Sequence, residues 1–500
     1  MHRWRSEFPK RTVTVLSRVE LHETYTRLAR NTSSLLVADV VGKLIGLAFT
    51  TRVAVYLGAE GFGQIAAAGA FAAIAVGVTD LGLASLSVRD VAKDPTASKQ
   101  YLSNVLTFQA LALVVLLSVA AGVSVLLYSN WEQSLIAFLM SVSVGLSAVA
   151  NLFVSFLRAH QLMSRVAVIR VSTAAVQLGA ALLAIAISLP VLPFVSVYLV
   201  TSVFALAVAA VSYRRLVGPV DLKLDWKWMR SALHLAVPFA AYGWAQNSYG
   251  RLDILFLERL SGRQDAGLYS AAALVSSLIS FPFVSFDAAF LPALAQRVAV
   301  SPDSAKLVFQ RILPYLWAAA VGLGLVVTLH ADTILGSLFD YHYAGAASFL
   351  RLFAWATIVI NMNGFSNVLV SFGYQRVVAA QVVACAALHI PLSYFLIVNT
   401  GLTGLAISSI VTETAGLLLL GAAVWRIGLG LQFMNMMRTL FGLAVGIALV
   451  RALNLVFETS GPLVLFPVEA GVFVVVVFLT VLWGPRAALR ELQRFSGRRT

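Results

Sequence analysis

Charge and cysteine are scarce in this sequence. Only 12% of its 500 residues are charged, and the one cysteine, Cys385, stands inside an apolar stretch. A lone cysteine excludes an intrachain disulfide and a thiolate metal cluster. A soluble globular chain is about a quarter charged and roughly half apolar. A chain that is 60% apolar, with a mean hydropathy of +0.87, is therefore excluded from the cytosolic, secreted and nucleic-acid-binding classes. There is no P-loop, no His-Glu-x-x-His, no paired-aspartate metal run and no nucleotide-binding glycine-rich loop, which leaves ATP-driven transport and metalloenzyme chemistry without residues to carry them. Strand-length alternation is missing too, which excludes a membrane barrel.

What remains is a succession of apolar windows, each long enough for the roughly 20 helical residues that cross a hydrocarbon core. Fourteen spans are expected, at 33–56, 62–88, 101–128, 131–157, 166–188, 191–213, 231–257, 266–296, 308–330, 346–371, 376–398, 402–425, 437–456 and 462–484. The predicted fold class is an all-α polytopic membrane protein. The first 30 residues carry Arg3, Arg5, Lys10, Arg11, Arg18, Arg27 and Arg30, too polar for a signal peptide, so the first span is expected to serve as an uncleaved insertion signal. Lys and Arg gather in the two tails and in the loops after even-numbered spans, while Arg259 and Arg263 lie in the opposite loops. This asymmetry places both termini in the cytoplasm and the chain in the cytoplasmic membrane. The net charge of +14 is thus a topology signal.

The expected organisation is a basic tail at 1–32, a six-helix lobe at 33–213, a basic linker at 214–230, a second six-helix lobe at 231–425, two extra spans within 426–484 and a basic tail at 485–500. An offset of 204 residues aligns Gly58 with Gly262, Gly63 with Gly267, Ala67 with Ala271 and Ala68 with Ala272. These stretches are the turns between the first and second helix of each lobe, which reads as a parallel repeat about an axis along the membrane normal. Chance likeness between Ala/Gly-rich segments is the competing explanation.

Ionisable groups inside spans cost about 2.5–3.5 kcal/mol each on insertion scales, so they face protein or water. Asp39 and Lys43, one turn apart, either neutralise each other to ease insertion or face a lumen. Arg251 and Asp253 project about 200° apart, so Arg251 is expected in a wet cavity and Asp253 against a neighbouring helix. Arg52 either snorkels to the interface or sets a cation at the outer mouth. Asp80 and Asp287 are expected as helix-end partners of Arg89 and Arg297, and Arg351 as an interfacial anchor. Glu413, between Thr412 and Thr414, is a candidate proton site. Trp244, inside the seventh span with Tyr242 and Tyr249, offers an aromatic face for sugar rings, with packing as the alternative. His330, Asp332, Asp340 and His342 form an outer turn too short for a catalytic domain, and a solvated turn is expected there in preference to a metal site.

Several stretches, in order, resemble a known family. They are TTRVAVYLGAEGFGQIAAAGAF at 50–71, VTDLGLASLSVRDVA at 78–92, AVPFAAYGWAQNSYGRLDILFLERLSGRQDAGLYSAAALV at 236–275 and GLTGLAISSIVTE at 401–413. With these the chain resembles the polysaccharide flippases of the multidrug, oligosaccharidyl-lipid and polysaccharide exporter superfamily. The resemblance implies a flippase, not an enzyme, with fourteen helices in two lobes and a substrate of polyprenyl-pyrophosphate-linked oligosaccharide, serving O-antigen or exopolysaccharide biosynthesis. It implies membrane lipids, a polysaccharide polymerase and chain-length proteins as partners, and no nucleic acid. Lys43, Arg251, Asp39, Arg52, Asp253 and Trp244 are then the candidate substrate-binding residues. Asp39 and Glu413 are candidates for coupling to a proton or sodium ion, and no other cofactor is expected. The alternatives are an ion-coupled drug or cation antiporter of the same superfamily, or a membrane-bound polysaccharide polymerase or ligase. Lys43 and Arg251 favour the flippase, since a pyrophosphate calls for cations on its path.

Overall fold

The computed structural model describes residues 18–77, 79–362 and 364–428, with side chains from 37 onward except at 237–249, 288 and 289. The expected spans at 437–456 and 462–484 and the C-terminal tail lie outside the described residues. All regular structure among the described residues is helical. In chain order the helices are α1 (Arg18–Gly77), α2 (Leu83–Lys93), α3 (Ser98–Leu127), α4 (Trp131–Ala159), α5 (Met163–Ala186), the single turn α6 (Val191–Phe194), α7 (Ser196–Leu216) and α8 (Trp226–Leu260). They continue with α9 (Arg263–Val300), α10 (Pro302–Leu329), the short α11 (Ala331–Leu338), α12 (Ala346–Asn361), α13 (Phe365–Ser371), α14 (Gln375–Thr400) and α15 (Leu402–Arg426). Ten helical segments among the described residues are long and apolar enough to cross a membrane.

Helix α1 contains the first two expected spans. They join at Gly58, whose φ of 67° is non-helical and suits a residue without Cβ. The second span ends earlier than the expected 62–88. The helix stops at Gly77, Leu81 and Gly82 take positive φ (43° and 76°), and α2 starts afresh at Leu83. The cause is local hydrogen bonding that competes with the helix. Thr79 Oγ1 donates to the Val76 carbonyl at 2.8 Å, and the Asp80 carboxylate accepts from the Ala84 N–H at 2.9 Å. Asp80 therefore caps α2, and Arg89 pairs with its neighbour Asp90. The tenth expected span is likewise interrupted, α12 ending at Asn361 and α13 resuming at Phe365.

The two ends of the bundle are packed differently. Toward the Gly58 and Gly262 turns a single core runs through both halves of the chain, from Phe49, Val53, Phe62 and Phe194 to Tyr269, Tyr343 and Phe349. Toward the linker at 214–230 there are two separate cores, one built from Leu83, Leu102, Phe156 and Tyr213 and the other from Phe309, Phe365, Leu369 and Leu420. The glycine-turn end is closed by backbone against backbone. A Cβ on Gly63 would lie 1.9 Å from the Arg263 carbonyl, and a Cβ on Gly267 would lie 1.9 Å from the Ala59 carbonyl. Residues 59 and 63 thus meet 263 and 267 reciprocally, at the spacing of 204 seen in the sequence, as two like surfaces do across a two-fold axis.

At the opposite, basic end the linker is bound to α3. Ser103 Oγ accepts from the Lys223 N–H at 2.9 Å, Asn104 Oδ1 accepts from the Asp225 N–H at 2.6 Å, and Lys99 pairs with Asp221 at 2.9 Å. Asp225 then caps α8 through the Trp228 N–H, and Trp228 stacks edge-on against Tyr101.

Candidate functional site

The charged residues of the first span face in two directions. Asp39 does not pair with Lys43. Its carboxylate accepts from Arg170 Nη1 of α5, a helix packed against α1. A guanidinium approaching from a neighbouring helix presents a fork of donors that a lysine on the same helix lacks. Lys43 instead extends its ammonium over the Phe281 ring of α9, 4.7 Å from the centroid, which joins the first half of the chain to the second. Arg158, at the end of α4, feels both Arg170 and Asp39. Arg251 on α8 and Arg52 on α1 are exposed. The sequence reading missed Arg170, although a lone arginine in an otherwise apolar fifth span was the available signal.

Asp253 points the other way from Arg251 and is 3% exposed. His389 of α14, 1% exposed, meets it with Nε2 at 2.8 Å from Oδ1, while its Nδ1 lies 3.3 Å from Thr412 Oγ1 of α15. Three helices therefore converge on one buried carboxylate–imidazole pair. His389 belongs to a polar stripe on α14, Gln381, Cys385, His389 and Ser393, spaced four residues apart and so on one face. Gln381 Nε2 donates to Cys385 at 3.2 Å, and Ser393 bonds Ser408 of α15 at 2.9 Å. The i, i+4 spacing was legible in the sequence and was the signal that could have found His389. Glu413 is half-buried on α15, near Cys385. The Trp244 side chain lies outside the described residues.

The expected helix-end pair of Asp287 is also rearranged. Asp287 accepts from Asn367 Nδ2 at 2.6 Å, a partner on α13 in place of Arg297. Arg351 pairs with Asp332. Asp340 holds His342 at 2.6 Å, and the His342 backbone N–H on the same carboxylate lowers the Asp340 pKa. Among the described residues no group of three metal-ligating side chains comes together.

A second buried carboxylate lies at the glycine-turn end. Glu258, at the end of α8 and 8% exposed, accepts from Tyr128 OH at 3.1 Å and from Gln133 Nε2, and Gln133 Oε1 accepts from Arg263 Nη2. Arg259 covers the Tyr128 ring at 5.2 Å, and Arg263 stands 4.0 Å from Glu60.

Residues 28–298 match the family model described as polysaccharide biosynthesis protein, and residues 238–395 match the MatE model. No curated protein matches the chain. Among solved structures, the chain is similar in fold to lipid II flippase MurJ in its inward closed conformation, with a TM-score of 0.74 and 12% identity over 91% of this chain and 99% of that one. It is also similar to an inward-facing multidrug resistance MATE transporter of the MOP superfamily, with a TM-score of 0.61 and 14% identity over 77% of this chain and 95% of that one. The MATE multidrug transporter DinF-BH gives 0.56, with 15% identity over 80% and 95%. These neighbours are transporters and flippases rather than enzymes. Matched by the family model over more than half its length, the chain belongs to the polysaccharide biosynthesis protein family.

Proposed function

We propose that the protein moves a polyprenyl-pyrophosphate-linked oligosaccharide across the cytoplasmic membrane for cell-surface polysaccharide assembly of the O-antigen or exopolysaccharide kind. Two six-helix lobes, 33–213 and 231–425, rock so that the glycine-turn end and the basic end open in turn, the first facing outward while the basic linker and both termini face the cytoplasm. The observation that carries this reading is Lys43. An ammonium inside the first expected span, 33–56, lies against an aromatic ring of the opposite half. A lysine anchoring to the interface would extend away from such a ring.

With Arg251, and with Arg170 and Arg158 beside Asp39, Lys43 supplies cations where a pyrophosphate must pass. Hydrogen bonds to charged groups are worth about 1.5–3 kcal/mol each, enough to select an anionic head over a neutral one. Trp244 and Arg52 remain candidates for contact with sugars and for the outer mouth. Coupling to a proton or sodium ion at Asp39 or Glu413 now has a further candidate in Asp253–His389. A polysaccharide polymerase and chain-length proteins are the partners such an exporter feeds.

The test is accumulation of lipid-linked oligosaccharide on the inner leaflet. Lys43→Ala with Arg251→Ala should abolish export while the protein stays in the membrane. Full export by that double variant overturns the reading. The MatE match over 238–395 sustains a second reading, an ion-coupled drug or cation antiporter. It requires that the same variant leave drug efflux intact and that deletion of the gene leave lipid-linked glycans unchanged.

A further inference from the structure

The Glu258 cluster has no part in substrate binding as proposed above, yet it centres on a carboxylate buried at the glycine-turn end. Its members come from four helix ends. Tyr128 closes α3, Gln133 is in the first turn of α4, Glu258 and Arg259 end α8, and Arg263 opens α9. The first two belong to the first half of the chain and the others to the second. The Gly63 backbone contact is made to Arg263, a member of this cluster, so bundle closure and carboxylate burial occur at one place. Rocking the halves apart at this end must expose Glu258 and break the chain of donors that runs from Arg263 through Gln133.

We propose that Glu258 is a proton-sensitive latch that clasps the α3–α4 loop to the α8–α9 turn and holds the glycine-turn end shut. Every charged or titratable group facing the cluster enters the balance: Tyr128 from α3, Arg259 on α8, Arg263 on α9 and, beyond Arg263, Glu60 on α1. Asp265 on α9 is occupied by Ser261 Oγ. Burial pushes the Glu258 carboxyl up, against the Tyr128 hydrogen bond and the fields of Arg259 and Arg263. Opening to water returns the carboxyl to its ordinary value. The shut form therefore binds the proton more tightly, so acid favours shutting and opening becomes easier as pH rises through the shut form's value.

The inference rests on alternating access but not on the substrate, so its test reads conformation rather than export. In a Cys385→Ser background, Phe281→Cys places a thiol opposite Lys43. Right-side-out and inside-out vesicles are treated with an impermeant maleimide. In Glu258→Ala, labelling from the glycine-turn side should rise about ten-fold. In Tyr128→Phe, which keeps the ring and loses one donor, it should rise about three-fold. Glu258→Gln, the neutral isostere, should keep the slow rate and lose its dependence on pH between 5 and 8. Labelling rates unchanged within two-fold in both Glu258→Ala and Tyr128→Phe overturn the latch. A Glu258→Gln variant as fast as Glu258→Ala overturns its proton sensitivity.

Discussion

At the glycine-turn end the two halves of the chain share one core, their backbones touch at Gly63 and Gly267, and the local carboxylate is buried and accepts from two partners of the other half. At the basic end each half keeps its own core, and the charges inside the spans remain partly open, Asp39 at 41% and Arg170 at 40% of their side-chain surface. A charge that open inside a span cannot face hydrocarbon without a cost of several kcal/mol, so it faces water or a ligand. Sealing needs small residues and complete hydrogen bonding, whereas binding needs charge left unsatisfied. Under the proposed function, the chain separates the two along the membrane normal.

The most direct way to break this asymmetry is to enlarge the seal. Gly63→Val puts carbon where the Arg263 carbonyl stands and must part α1 from α9, since neither atom is the end of a flexible side chain. Overpacking costs about 1–3 kcal/mol, equivalent to roughly 5- to 150-fold in the population of the shut form. Double electron–electron resonance between spin labels at the α3–α4 and α8–α9 turns should show a longer distance appearing. A single unchanged distance would mean that the contact is not a gate.

The buried pair in the second half comes next. Asp253→Asn leaves His389 without its anion, and removing one member of a buried pair costs about 3–5 kcal/mol at the upper end. The drive for export can be read in proteoliposomes carrying a fluorescent lipid-linked oligosaccharide. An outward-moving substrate with about two negative charges gains about 2.3 kcal/mol per charge per 100 mV of inside-negative potential. If potential alone drives flipping, a potassium–valinomycin potential accelerates the parent and Asp253→Asn alike. If a proton is exchanged, a pH gradient accelerates the parent at least ten-fold and the acceleration disappears in Asp253→Asn. The same comparison with Asp39→Asn and Glu413→Gln ranks the three carboxylates.

Much of the fold was legible because it is written in composition. Twelve of the fourteen expected spans fall on described helices, and the spacing of 204 residues reappears as a reciprocal glycine contact. The interruptions after Gly77 and Asn361 were not legible, because hydropathy averages over a window while a break depends on single hydrogen bonds such as Thr79 to Val76. Side-chain pairing was read worst. The rule that residues four apart are neighbours suggested Asp39 with Lys43, but pairing between helices depends on which helices pack, and α5 delivers Arg170. Glu258 was invisible for the same reason, since its partners stand about 130 residues away in the chain.

The smallest expected effect separates a structural role for Asp39 from a binding one. The Asp39–Arg170 bridge is two-fifths exposed at both ends, and ion pairs so open contribute about 0–1 kcal/mol, so neither Asp39→Asn nor Arg170→Ala should lower the amount of protein in the membrane by more than a few-fold. Export responds differently if the pair borders the substrate path. Arg170→Ala uncovers a carboxylate that repels a pyrophosphate and should slow export several-fold. Asp39→Asn removes that repulsion and leaves the guanidinium available. The double variant should then export faster than Arg170→Ala alone, whereas in a purely structural bridge each single change already costs the whole interaction and the double variant is no faster than either single. Export rates at equal membrane content, measured for the four members of the cycle, decide between the two. A double variant no better than Arg170→Ala places the pair away from the substrate.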